Sequence, residues 1–198
     1  MAPFSKLPKN KKEAFWLLFS YSGPRVLFFG VLLFLLIRTL MGMDFVFRDA
    51  FFCGVLVLFW GVFEWIIHAY ILHARKIPIL EVKIETKLSI MHKEHHENPS
   101  DISGLFFGGK SIAAIGFMMI AIFYAMFPLS LAISLVATVL LMVLIYEWCH
   151  LLSHSFLMPR RGIFRSVLMN HRLHHFRDET RWLGVSSVLG DKLFGTQK

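Results

Sequence analysis

Cysteine is scarce in this chain: 198 residues contain two, Cys53 and Cys149, both in apolar stretches and with no C-x-x-C spacing. That excludes a disulfide framework and a thiolate metal site, and both residues read as small buried hydrophobes. Charge is scarce as well, at 17% of residues against 56% hydrophobic. A soluble domain of this length has too little interior for 21 Phe, 5 Trp and the long Leu/Ile/Val runs, so the class is a membrane protein. No G-x-G-x-x-G fingerprint and no haem motif occurs, so the chain carries no nucleotide or haem reductant of its own. The formal charge of +8 records membrane topology and attraction to lipid head groups, and no nucleic-acid partner is expected.

Uncharged runs locate the spans. No charge occurs from Ser111 to Tyr146, and "MFPLS" interrupts the run at Pro128, so two spans joined by a tight turn are expected. Upstream, "RVLFFGVLLFLLIRTLMGM" supplies one span, with Arg25 and Arg38 expected to snorkel to the interfaces. "DAFFCGVLVLFWGVFEWIIHAYILH" supplies another. Lys6, Lys9, Lys11 and Lys12 precede an apolar stretch, as in a signal sequence, but that stretch runs from Ala14 to Ile37 with Arg25 inside it and no small-residue cleavage site after it. A retained first span is the expectation. The fold class is therefore all-α, a polytopic membrane protein whose four transmembrane helices form two hairpins, 20–41 with 48–72 and 111–127 with 129–149.

With four spans, the N-terminus, segment 75–110 and tail 159–198 share one side, and they carry 4, 6 and 8 of the 21 basic residues. The positive-inside rule assigns that side, and with it both termini, to the cytoplasm.

Ten histidines are present, and all belong to clusters on that side. His68 and His73 end the second span, and His92, His95 and His96 follow as H-x-x-H-H. His150 and His154 end the fourth span, and His171, His174 and His175 repeat H-x-x-H-H. Each half thus reads hairpin, pair, triad: a parallel pseudo-repeat whose copies wall one shared site. Helical residues i, i+3 and i+4 share a face, so each triad can present three imidazoles together, as can the i, i+4 pair His150/His154. His68 and His73 are i, i+5, about 140° apart on a regular helix, which predicts a π-bulge or a helix end between them.

Ten imidazoles packed without a cation repel when protonated and leave acceptors unused when neutral, so the clusters read as metal ligands. Ten are too many for one ion and divide as five each over two, with one open position per ion at six-coordination. Nitrogen-rich sites with open positions suit iron, with zinc substitution a hazard in purified protein. Glu64, one turn before His68, and Glu147, three residues before His150, are expected to orient imidazoles as hydrogen-bond acceptors. Glu147-x-x-His150 also spells the E-x-x-H of soluble di-iron bundles, but that plan needs two such motifs. Asp191 is expected to form a structural cap in the tail turn.

The order H-x4-H, H-x-x-H-H, H-x3-H, H-x-x-H-H resembles the fatty acid hydroxylase/sterol desaturase superfamily of membrane non-haem di-metal oxygenases. The tail "HHFRDETRWLGVSSVLGDKLFGT" is similar to the end of its fatty acid hydroxylase branch, although Val188 and Gly190 stand where many members carry proline and a bulky aromatic. The resemblance spans about residues 45–196. It implies that all ten histidines ligate two iron ions, with dioxygen as co-substrate and a lipid C–H bond as target. It also implies an external electron donor such as cytochrome b5, or a ferredoxin with its reductase. No segment resembles the cytochrome b5 domain that better-known members often carry.

The whole of 1–198 is then expected to be one membrane-embedded catalytic domain: 1–13 a basic N-terminus, 20–154 the hairpins and first cap segment, 159–198 the tail with the last histidine box. A bacterial inner membrane is favoured over the endoplasmic reticulum, for lack of an endoplasmic-reticulum retention ending and of added domains. The rival outcomes are a sterol or lipid desaturase or methyl oxidase of the same superfamily, and, in another class, a membrane metal transporter. A transporter is expected to place polar groups near mid-membrane, and 111–146 offers no charge there.

Overall fold

The computed structural model describes residues 7–77 and 81–198; Lys6, part of the basic N-terminal stretch, lies outside them. Among the described residues the regular structure is helical, with one isolated bridge between Ile77 and Val82. The helices are α1 (Lys11–Ser20), α2 (Ser22–Leu40), α3 (Phe47–Ile67), α4 (Lys87–Glu97), α5 (Gly109–Met126), α6 (Leu129–His154), α7 (Ile163–Phe176) and the short α8 (Leu189–Leu193). Four segments are long and apolar enough to cross a membrane: Ser22–Leu40, Phe47–Leu72, Ile102–Met126 and Leu129–His154. These are the four spans expected, and Pro128 separates the last two: Phe127 is extended and α6 starts at Leu129.

The chain forms two compact units, one of Leu18–Phe59 with Phe106–Glu147, the other of Met1–Leu17, Trp60–Leu105 and Trp148–Lys198. The first holds the bulk of the apolar hairpins. Leu27, Ile112, Val136 and Leu140 make its core, and Phe29, Leu33, Leu36 and Phe117 point outward, the pattern of helices solvated by lipid. Gly23 lies against the Phe107 backbone with no room for a Cβ, which lets α2 pack along α5. Glu147 Oε1 accepts the Phe107 N–H at 2.9 Å, so this carboxylate ties α6 to the start of α5; direct orientation of an imidazole, the role expected for it, is not the contact it makes here.

Arg38 corrects its expectation. It does not snorkel: it is 5% exposed and donates to Asp49 Oδ2 at 2.5 Å, the Asp44 carbonyl at 2.6 Å, Ser134 Oγ at 2.7 Å and the Ser130 carbonyl. Asp49, in the first turn of α3, supplies the counter-charge that makes burial cheaper than reaching for the interface. Arg25 is exposed, as expected.

In the second unit α3 continues past Ile67 as a π-helical turn, His68–Leu72. The His73 N–H bonds the His68 carbonyl at 2.9 Å, an i+5 closure that stacks the two imidazoles with ring centres 5.0 Å apart. The i, i+5 spacing therefore has the outcome the sequence predicts. Helix α4 starts at a capping box, Thr86 with Ser89, and presents the first triad. Helix α7 presents the second triad. The tail folds back so that Phe194 stacks on Trp65 (centres 4.1 Å apart) and Gly190 sits directly on Trp65 and the Gly61 carbonyl. That contact leaves no room for a side chain at Gly190: any Cβ there collides with Trp65 and the Gly61 carbonyl of α3.

Candidate metal centre

Ligand nitrogens of all ten histidines gather within the second unit, in two groups of five. One is His68, His73, His92, His96 and His174; the other is His95, His150, His154, His171 and His175. Within each group the five nitrogens lie within 4.8 Å of one another. The halves of the repeat do not each build their own group. The middle histidine of each triad crosses over: His95 of the first half joins the second group, and His174 of the second half joins the first. Helical geometry permits the crossing, because i+3 lies about 60° to one side of residue i and i+4 about 40° to the other. The outer pair of each triad shares a direction and the middle member diverges.

The nitrogen spacing tests whether an ion fits. His92 Nε2 lies 2.9 Å from His68 Nε2 and 3.2 Å from both His73 Nε2 and His96 Nε2. One ring nitrogen has one hydrogen or one lone pair in its plane, so three such neighbours are not a hydrogen-bond network. In the second group His95 Nε2 lies 3.1 Å from His150 Nε2 and 3.2 Å from His154 Nε2. A six-coordinate ion with bonds of roughly 2.1 Å holds neighbouring nitrogens about 3.0 Å apart and opposite ones about 4.2 Å apart. Moreover, both ring nitrogens of His171 and His175 are buried without a protein partner, a cost that a cation removes. The residues fit two metal ions.

Tautomers are set from outside. His68 Nδ1 meets the Leu183 carbonyl at 2.5 Å and His174 Nδ1 the Arg181 carbonyl at 2.8 Å; a carbonyl only accepts, so each Nδ1 carries the hydrogen and each Nε2 offers its lone pair inward. Sequence reasoning placed this acceptor at Glu64. The structure instead has the Glu64 carboxylate accept from Trp60 Nε1, the Val185 and Ser186 N–H groups and the Ser186 hydroxyl, on the same loop as Leu183. Backbone acceptors leave no mark in a sequence, which is why Leu183 and Arg181 were not found. Asp191 is the cap expected, and more: it is fully buried and accepts from the Leu183 and Gly184 N–H groups, Asn170 Nδ2 and Thr196 Oγ1.

Burial pushes the His95 and His96 imidazoles down to about 4, so both are neutral and ready to ligate at pH 7. The linkage has a definite sign. Above pH 7 folded and unfolded imidazoles are equally neutral; below about 6.5 the unfolded chain takes protons that the folded one refuses. The thermal midpoint of metal-stripped protein is therefore expected to be level above pH 7 and to fall from pH 6.5 toward pH 4. A midpoint that rises on acidification contradicts the buried neutral cluster.

A cleft of about 780 Å³ opens onto the centre, with His73 and His96 of the first group and His175 of the second on its wall beside Leu72, Ile90 and Phe176.

The fatty acid hydroxylase family model matches residues 53–196. A dihydroceramide fatty acyl 2-hydroxylase of Arabidopsis thaliana is 28% identical over 71% of this chain and 57% of its own length. The fatty acid 2-hydroxylase of Macaca fascicularis is 30% identical over 76% of this chain and 40% of its own. The chain thus spans about half the length of these relatives. The solved structure of full-length scs7p, in which only the hydroxylase domain is visible, superposes with a TM-score of 0.68 at 20% identity, over 98% of this chain and 68% of that one, and shares the fold. These named relatives are eukaryotic and give no support to a bacterial inner membrane. A match over most of the chain, with the histidine clusters inside it, settles the lineage: this protein belongs to the fatty acid hydroxylase family.

Proposed function

We propose that the protein is a membrane oxygenase that hydroxylates a C–H bond of a fatty acyl chain, using dioxygen at two iron ions held by the ten histidines. The observation that carries this reading is the division of those histidines into two five-nitrogen groups, with His73, His96 and His175 lining a cleft. When bound, the ion pair supplies dioxygen activation and attack on an unactivated C–H bond. The chain's own residues do the rest. Leu183 and Arg181 fix ring orientations, burial keeps the imidazoles neutral, and Leu72, Ile90 and Phe176 offer an acyl chain apolar contacts beside His73, His96 and His175 in a cleft whose remaining wall is largely charged, with Lys83, Lys93, Arg177 and Asp178 among its groups. The relatives' names point to carbon 2 of a fatty acid or of a ceramide's acyl chain. The full chain acts as one catalytic domain, with termini and histidines on the cytoplasmic side and electrons delivered from outside by cytochrome b5, or by a ferredoxin and its reductase.

The test is iron reconstitution of the detergent-purified full chain, followed by incubation with a ceramide, a reductant and ¹⁸O₂. Two iron ions per chain and a 2-hydroxyacyl product carrying ¹⁸O are expected. An unsaturated product assigns the chain to desaturation instead. Metal flux into proteoliposomes with no oxidised lipid assigns it to transport and overturns the proposal.

A further inference from the structure

Both carbonyls that hold imidazoles of the first group come from one short stretch, 181–186. The Arg181 carbonyl accepts from His174 and the Leu183 carbonyl from His68. Between them Trp182 has φ +51°, a left-handed conformation strained for a bulky aromatic, and this bend aims the two flanking carbonyls. The strained turn persists because its amides are all engaged. Trp182 N–H donates to the Thr196 carbonyl at 3.0 Å, Leu183 and Gly184 N–H to Asp191 at 2.8 Å each, and Val185 and Ser186 N–H to Glu64.

Asp191 also braces Asn170 and Thr196 and so serves the tail as a whole. Glu64 has a narrower task. It stands one turn before His68 on α3, and the two side chains grip the same loop at adjacent points, Glu64 at 185–186 and His68 at 183. Of the second group, His154 bonds the Pro99 carbonyl and the Nδ1 atoms of His95, His171 and His175 are buried without a protein acceptor, so none of these four imidazoles bonds the loop; Asn170, next to His171, does so through the Gly184 carbonyl.

We infer that Glu64 is a positioning residue for one of the two metal sites only, fixing His68 through the 183–186 loop and leaving the second group untouched. The inference rests on the two-ion reading above. It is tested by zinc release to EDTA from the zinc-loaded full chain in detergent, in two backgrounds that each keep one ion. His154→Ala leaves the first group intact and His73→Ala the second. Adding Glu64→Gln is expected to speed zinc loss by about 10- to 100-fold in the His154→Ala background and by less than about twofold in the His73→Ala background. Ser186→Ala, which removes one hydroxyl donor and keeps the carboxylate, gives a milder comparison with the same selectivity. Equal acceleration in both backgrounds makes Glu64 a general brace and overturns the inference, as does an unchanged rate in the first. A parent chain that binds fewer than two zinc ions overturns the two-ion reading itself, and the inference with it.

Discussion

Replacing His174 with alanine is expected to remove one ion of two and to lower hydroxylation by more than about 100-fold, beyond what the loss of an outer hydrogen-bond partner costs. The crossing of the triads makes this prediction sharper than the loss of any ligand. His174 lies three residues from His171, in the same motif and on the same helix, yet the two belong to different groups. His73 lies a hundred residues away and shares the group of His174, with the two Nε2 atoms 2.9 Å apart. The double variant His73→Ala/His174→Ala is therefore expected to keep one ion per chain, because both changes damage the same site. His171→Ala/His174→Ala is expected to keep none, because each change damages a different one. Elemental analysis of the purified variants against the parent reads this directly. If the motif neighbours His171 and His174 share an ion instead, the pattern inverts, with His171→Ala/His174→Ala keeping one and His73→Ala/His174→Ala keeping none.

That pattern marks where the sequence was legible and where it was not. The uncharged run 111–146 and Pro128 located two spans because the bilayer imposes length and apolarity on any helix that crosses it. The extra residue between His68 and His73 announced the π-helical turn because backbone geometry alone decides which spacing shares a face. A division into two groups of five also followed from counting. Which five did not, since the partition depends on how α4 and α7 face each other, and no spacing within either triad records that. The position of Glu64, one turn from His68, is legible in the sequence; its contacts are not, because it accepts from the Val185 and Ser186 amides and the carbonyl that meets His68 belongs to Leu183, more than a hundred residues away in the chain. Asn170 carried a faint signal: a polar residue beside a clustered histidine, on a helix whose other inward positions are apolar or histidine. Its amide bonds the Gly184 carbonyl and Asp191. The burial of Arg38 was hidden for the same reason. Snorkelling is the sensible expectation for an arginine considered alone, and a partner eleven residues on, across the turn into α3, overrides it.

Asp49→Ala is expected to be the most damaging change in the apolar unit. Asp49 is fully buried, and its removal leaves the Arg38 guanidinium among α2, α3 and α6 with neutral partners among the described residues: the Ser134 hydroxyl, the Asp44 and Ser130 carbonyls and the Phe45 ring. Breaking a buried pair from one side costs about 3–5 kcal/mol. The lower end applies here, because the pair sits in the last turn of α2 and the first of α3, where a long arginine stem can carry a freed charge toward the interface. Arg48, half-exposed and 3.3 Å from Asp49 Oδ1, adds little, as a partly solvated pair does. The double variant Arg38→Met/Asp49→Ala removes the stranded charge as well, and is expected to regain most of the loss, since apolar replacement of a whole buried pair is often close to neutral. Thermal unfolding in detergent, followed by loss of monodisperse protein, distinguishes the two. The metals provide the control: Asp49 and the histidines belong to different compact units, so two ions per chain are expected in whatever fraction of Asp49→Ala remains folded. If the double variant is no more stable than Asp49→Ala alone, the stranded guanidinium is not the cause, and the network's value lies in its hydrogen bonds to Ser130, Ser134 and Asp44.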